Sequence, residues 1–388
     1  MQISNLPNLA DSKSFIEQIT SNTPQKYPRF INKPIVLYGA GDMGKMAFSY
    51  FNNLKIKIEF IVDQKAKFYE LDNFWDEIDL IHPDQLRYLN KDNFLFVICL
   101  AASPFSEIEH FLMGLGCLDI SSFYDIAEAY KDIFPLSNGW FANNISNRDL
   151  KEMSDTLEFW DDDISRAHYI QFYAWRRLRE DWQFRGAEIN NQNRYFIPEI
   201  KAALRNDESF LDIGAHHGQI IEKFISETKG SFAKIWAIEP DQLNFSQLCK
   251  KVLAFGGIEK ITVMQEALSS LSKNTSFYSG LGYYSQFFES GDTNLITTTI
   301  DELNLNPTFI KIHLEGYELD CLKGGLKTIK KHRPILVATV YHNRLGLWET
   351  FKWLHDNLID YSFRLRLHSW LGTGLVLYAI PKERTNNE

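Results

Sequence analysis

Two well-separated stretches of the chain read as an apolar strand entering a glycine turn that opens a helix. They are Ile35-Val-Leu-Tyr38 leading into Gly39-Ala-Gly41-Asp-Met-Gly44, and Ser209-Phe-Leu-Asp-Ile213 leading into Gly214-Ala-His-His-Gly218. That order begins a parallel α/β sheet, and two such openings demand two sheets. The 388 residues suffice for two cores and a connector. Apolar residues at 45% and charged residues at 23% supply packed cores and exclude a disordered or fibrous chain.

Further strand candidates are Ile58–Val62 and Phe94–Leu100 after the first turn, and Ile235–Ile238, Ile261–Met264, Thr308–Ile312 and Ile335–Tyr341 after the second. Tyr361–His368 and Gly374–Ile380 read as an antiparallel pair closing the second sheet. Between them, strand signals fade and Trp160, Tyr169, Phe172, Tyr173 and Trp175 recur at helical intervals. The expected organisation is an N-terminal extension over 1–32, a Rossmann-like nucleotide-binding-type domain over 33–135, a helical connector over 136–205 and a second α/β domain over 206–388.

Lys and Arg number 41 against 50 Asp and Glu, a net charge of −9 that repels a nucleic-acid backbone, so no nucleic-acid partner is expected. The four cysteines are too scattered for a metal knuckle or a disulfide framework. No basic segment feeds an apolar stretch at the start, and no run approaches the ~20 apolar residues of a membrane span. A cytoplasmic protein is expected.

The two turns differ in charge. Gly39, Gly41 and Gly44 fit the dinucleotide fingerprint, and Asp63 ends the next strand where an acid grips ribose hydroxyls, so NAD(P) or a nucleotide-sugar is a candidate ligand there. The same glycines also occur where a strand and helix merely pack closely. Lys45 and Ala101-Ala-Ser103 are candidate pocket residues beside that turn. In the second turn Asp212 precedes the first glycine, and an acid there repels a pyrophosphate. It welcomes the ammonium and sulfonium of S-adenosylmethionine (SAM). Glu239 ends the next strand, placed for two ribose hydroxyls, and Glu266 follows the third, placed for the adenine edge. Helix capping by Asp212 and Glu239 is the plain alternative.

Leu211-Asp-Ile-Gly-Ala215, Ala237-Ile-Glu-Pro-Asp241, Glu266-Ala-Leu-Ser269, Thr299-Ile-Asp-Glu-Leu303, Lys311-Ile-His-Leu-Glu-Gly316 and Leu322-Lys-Gly-Gly325, taken in order, resemble the FkbM family of SAM-dependent O-methyltransferases. The resemblance spans roughly 206–381 and leaves the N-terminal domain outside it. It implies a class I, Rossmann-like methyltransferase sheet with SAM as donor and a hydroxyl of a sugar, glycan or related metabolite as acceptor. It also implies that Asp212, Gly214, Ala215, Gly218, Glu239, Glu266 and Tyr195 line the cofactor. The family usually has Asp where this chain has His313.

A sugar hydroxyl is a poor nucleophile until its proton leaves. His313 follows one strand and His342 ends the next, so either is a candidate base, with Glu315 orienting a histidine. Alternatively His313, Glu315 and His342 hold a divalent metal. Lys311 is expected to pair with Glu315 or Asp301, His216 and His217 to be loop residues, and His368 to be structural. Competing functions are an NAD(P)-dependent oxidoreductase run by the N-terminal domain and a non-catalytic glycan or nucleotide sensor. Base methylation fits less well, since His313-Leu-Glu-Gly316 stands where amino-group methyltransferases often carry Asn/Asp-Pro-Pro-aromatic.

Overall fold

A strand buried on both faces reads as an unbroken apolar run, and its alternate side chains enter two different cores. Ser209–Ile213 does this: Phe210 joins the core on one side of its sheet, whereas Leu211 and Ile213 join the other. The computed structural model of the chain describes residues 1–255, 258–280, 285–287 and 291–385.

The N-terminal sheet is five-stranded and parallel. Its strands are β1 (Ile35–Tyr38), β2 (Ile58–Val62), β3 (Leu80–Ile81), β4 (Leu95–Ile98) and β5 (Ile120–Ser122), in the order β3-β2-β1-β4-β5. This is a doubly wound arrangement whose strand order reverses between β1 and β4. The C-terminal sheet is seven-stranded, built from β6 (Ser209–Ile213), β7 (Lys234–Ile238), β8 (Ile261–Met264), β9 (Phe309–Ile312), β10 (Ile335–Thr339), β11 (Tyr361–Leu367) and β12 (Leu375–Pro381). The order is β8-β7-β6-β9-β10-β12-β11, with β12 antiparallel to both neighbours. This is the Rossmann-like class I methyltransferase sheet that the resemblance implies.

Helix Asp163–Leu178 joins the two halves. Its start is capped by Asp162, which accepts from the Ser165 N–H, and its end is Arg179 at φ +59. Tyr169, Phe172 and Tyr173 pack with Leu211, Ile310 and Leu336 of the C-terminal sheet, while Trp175 belongs to the core of the N-terminal one. The segment before β1 is part of the same packing. Helix Leu9–Ser21 buries Ile16 and Ile19 in the C-terminal core, and Gln2–Ile3 pairs in parallel with Gln183–Phe184.

Two buried arginines fasten the junction. Arg176 donates to the carbonyls of Asn138, Trp140, Tyr341 and Gly372, and Arg179 pairs with Asp125 at 2.7 Å while donating to the Gly139 carbonyl. The Trp370 N–H reaches the Ala101 carbonyl at 2.8 Å. A further small sheet, Ala267–Leu268, Thr293–Thr298, Asn274–Tyr278 and Gln286–Phe287, stands beside the C-terminal edge of β6 and β7. Its strands are short or polar and carry no continuous apolar run in the sequence.

Candidate functional site

The turn after β6 is shaped by its glycines. Gly214 has φ +72, and a Cβ there would lie 2.0 Å from the His313 carbonyl oxygen, so this position admits no larger residue. The N–H groups of Gly214 and Ala215 both bond the Ile238 carbonyl, closing the turn against β7. Gly218, at φ +83, caps helix Gln219–Glu227. Gly214, His216, Glu239, Asn244, Leu268 and Phe277 line a cleft at the carboxyl ends of the strands, where open α/β sheets bind ligands.

Glu239 is buried, and each of its oxygens accepts one backbone N–H, from His216 at 2.8 Å and from Asp241 at 3.1 Å. The Asn244 side chain is a third hydrogen-bond partner, and since a carboxylate has about four acceptor sites, capacity remains for a ribose hydroxyl. Burial pushes this acid up to about 7, against the pull of the Asp241 and His216 N–H groups. Ala215 is buried beside the turn, and Glu266 is half-buried next to the cleft residues Ala267 and Leu268.

Asp212 departs from expectation. Its side chain is fully buried and paired with Lys311 Nζ at 2.9 Å, so it offers no free carboxylate to a cationic ligand. The cause is register. Asp212 and Lys311 are directly opposed on the parallel neighbours β6 and β9, which places their side chains on the same face. Lys311 also donates to the Gly214 carbonyl at 2.7 Å, and therefore holds the cofactor turn instead of pairing with Glu315 or Asp301. Asp301 caps the helix that begins at Leu326 by accepting from the N–H groups of Lys327 and Thr328.

The candidate catalytic residues form one cluster. His313 Nε2 lies 2.9 Å and His342 Nε2 3.3 Å from the same Glu315 oxygen. His342 Nδ1 is 2.7 Å from Glu318, whose carboxylate also accepts from Thr339 and from the N–H groups of Leu314 and Gly316. Burial alone would lower His342, but the Glu315 and Glu318 carboxylates raise it well above the usual histidine value. His342 is thus charged in this network and is no proton acceptor. Burial dominates at His313 and brings it down to about 4, so it is neutral near pH 7. Glu315 resists burial because His342 and His313 hold it ionised.

The Tyr195 hydroxyl lies 2.9 Å from His313 Nδ1, which ties Tyr195 to the cluster. Glu318, Arg194 and Tyr341 carry no motif that marks them in the sequence for this cluster. Arg194 bonds the Tyr341 hydroxyl at 2.7 Å, and that hydroxyl lies 3.5 Å from His313 Nε2. His216 lines the cofactor cleft, and His217 reaches Asn244. His368 contacts the Asn190 carbonyl and the Tyr378 hydroxyl through its two ring nitrogens, a structural role.

The first glycine turn is explained by packing. A Cβ on Gly44 would lie 2.0 Å from the Gly39 carbonyl oxygen, and Gly39 has φ +115. Asp63 accepts from the Ala40 N–H through one oxygen and from the Lys65 N–H through the other, which is local capping. The Tyr69 hydroxyl stands 3.4 Å from the Cβ position of Gly41. Lys45 is paired with Asp72. The helix after this turn instead borders a second cleft, of about 690 Å³, between the two halves of the molecule. Met43, Met46 and Tyr124 face Arg194, His313 and Glu315 across it. Gly280 reaches the same cleft and is anchored by Asp241, whereas 281–284, within the stretch 278–286 that the sequence offers as a substrate-contacting loop, lie outside the described residues.

Residues 212–365 match the family model of the methyltransferase FkbM domain. Among solved structures, the chain is similar to methyltransferase FkbM from Methylobacillus flagellatus KT, with 19% identity and a TM-score of 0.63 over 96% of this chain and 99% of that one. The shared fold therefore includes the N-terminal half, which the sequence resemblance left out. Partial matches include precorrin-6y C5,15-methyltransferase from Geobacter metallireducens GS-15, with 14% identity, a TM-score of 0.30 and coverage of 47% and 82%. Another is a SAM-dependent methyltransferase from Aquifex aeolicus, with 16% identity, a TM-score of 0.29 and coverage of 51% and 96%. No curated protein matches the sequence.

Proposed function

We propose, from the match of residues 212–365 to the methyltransferase FkbM domain, that the chain is a SAM-dependent enzyme that methylates a hydroxyl oxygen of a sugar, glycan or related metabolite. SAM is read into the cleft at the carboxyl ends of β6 and β7. Glu239 takes the ribose hydroxyls there, Gly214, Ala215 and Gly218 allow close approach, and Glu266 borders the adenine side. Asp212 acts through Lys311, by fixing the Gly214 carbonyl.

The observation that carries the proposal is that His313 and Glu315 line both clefts. A methyl group offered from the cofactor side meets an acceptor from the inter-domain side at these two residues. Methyl transfer from a sulfonium needs the nucleophile in line with the carbon, so a shared wall supplies the alignment. The His313, Glu315 and His342 cluster assists loss of the hydroxyl proton, with His342 and Tyr195 as positioning residues. The N-terminal domain is read as the far wall of the acceptor cleft, since Met43, Met46 and Tyr124 line it and the Asp63 carboxylate is engaged by the N–H groups of Ala40 and Lys65.

Isothermal titration with SAM, followed by incubation with methyl-deuterated SAM and a panel of sugars, glycans and amines, tests this. Binding of SAM with label appearing on alcohol oxygen is expected. Absence of SAM binding, or label found only on nitrogen, would overturn it.

A further inference from the structure

We propose that Nε2 of His313, Nε2 of His342 and the Glu315 carboxylate form a binding site for one divalent first-row transition ion, at the junction of the cofactor and acceptor clefts. These three ligand atoms lie within 4.8 Å of one another. Ligands held at ~2.0–2.2 Å from one ion are separated by about 2.8–3.1 Å along the edge of an octahedron and by about 3.3–3.6 Å along the edge of a tetrahedron. The two separations that share the Glu315 oxygen, 2.9 Å and 3.3 Å, are edges of that size.

The surrounding residues orient the ligands as metal sites do. Glu318 is fixed by Thr339 and two backbone N–H groups, and it directs the Nδ1 proton of His342 toward itself, which leaves Nε2 aimed at Glu315. The position between Nε2 and the Glu315 oxygen favours a cation, which is the histidine's own proton in the ion-free chain and the metal once it has displaced that proton. Tyr195 does for His313 what Glu318 does for His342. Glu315 itself sits at φ +47, a conformation costly for a residue with a side chain, and its neighbour Gly316 is pinned through Asn343. That strain turns the carboxylate between the two imidazoles.

Two imidazoles and one carboxylate favour Zn²⁺, Mn²⁺ or their neighbours over Mg²⁺ or Ca²⁺. His313 and Glu315 border the acceptor cleft, so the remaining coordination positions are accessible to a hydroxyl from that side. The inference rests on reading this junction as the place of methyl transfer. There the ion acts as a Lewis acid: the acceptor O–H loses its proton to water in the cleft, the O–C bond forms, the C–S bond breaks, and its electron pair returns to sulfur.

The test is calorimetric titration of chelator-treated full-length protein with Zn²⁺, and with Co²⁺ as a visible-absorption probe. One ion per chain is expected, with nitrogen ligation in the Co²⁺ spectrum, loss of affinity by at least about 100-fold in His313→Ala and Glu315→Gln, and no displacement by excess Mg²⁺. No binding to the wild-type chain, or equal affinity in both variants with native circular dichroism, overturns it. If the variants unfold, nitrogen ligation of Co²⁺ in the wild type decides. SAM titration of the same metal-free protein separates the two claims, because SAM binding without ion binding removes only the metal site.

Discussion

At the scale of single residues, the pairing of Asp212 with Lys311 carries most consequence. Both are buried, so Lys311→Met strands a carboxylate and is expected to cost about 3–5 kcal/mol in urea unfolding. Adding Asp212→Asn to that variant recovers most of the loss. Glu239 makes a prediction of opposite character. Its folded value near 7 lies above the ordinary 4.5, so the folded state binds more protons between these values, and this group's contribution to stability falls as pH rises through that window. Ribose hydroxyls donate to the ionised form, so SAM affinity is expected to rise roughly tenfold from about pH 6 to about pH 8. Calorimetry on Glu239→Gln should give a flat profile and weaker binding throughout. Asp212 and Glu239 both follow from their strand-end positions in sequence. Their opposite environments do not, because Lys311 joins Asp212 only through the register of β6 and β9.

At the scale of elements, the two glycine turns resemble each other in sequence and differ in what fills them. Gly44→Ala drives a Cβ into the Gly39 carbonyl and is expected to lower the melting temperature by several degrees, whereas Gly41→Ala meets only the Tyr69 hydroxyl at contact distance and should leave stability and SAM-dependent turnover near wild type. Loss of methyl transfer in a well-folded Gly41→Ala would favour a bound nucleotide at that turn. The apolar runs of β1, β4, β6, β9 and β10 were readable because central parallel strands are apolar on both faces. The two-residue strand Leu80–Ile81 and the mixed Thr293–Thr298 are held by pairing with neighbours and carry no comparable pattern. The cluster was half readable: His313, Glu315 and His342 stand at strand ends, but Glu318 and Arg194 join it only by folding.

At the scale of the whole molecule, Arg176 binds four carbonyls from the connector, the segment after β10 and the loop before β12. Arg176→Met orphans these groups together and is expected to cost more than about 3 kcal/mol, with acceptor KM rising more than SAM affinity falls. Residues 206–388 expressed alone should lack cooperative unfolding, because Ile16, Ile19 and the Asp163–Leu178 helix cover one face of their sheet. A cofactor site on one half and a facing wall on the other also divide the evolutionary task. On the proposed function, replacing Met43, Met46 and Tyr124 is expected to change which acceptor is taken while donor recognition stays as it is, so exchange of the first half between relatives would be a route to new products from an unchanged second half.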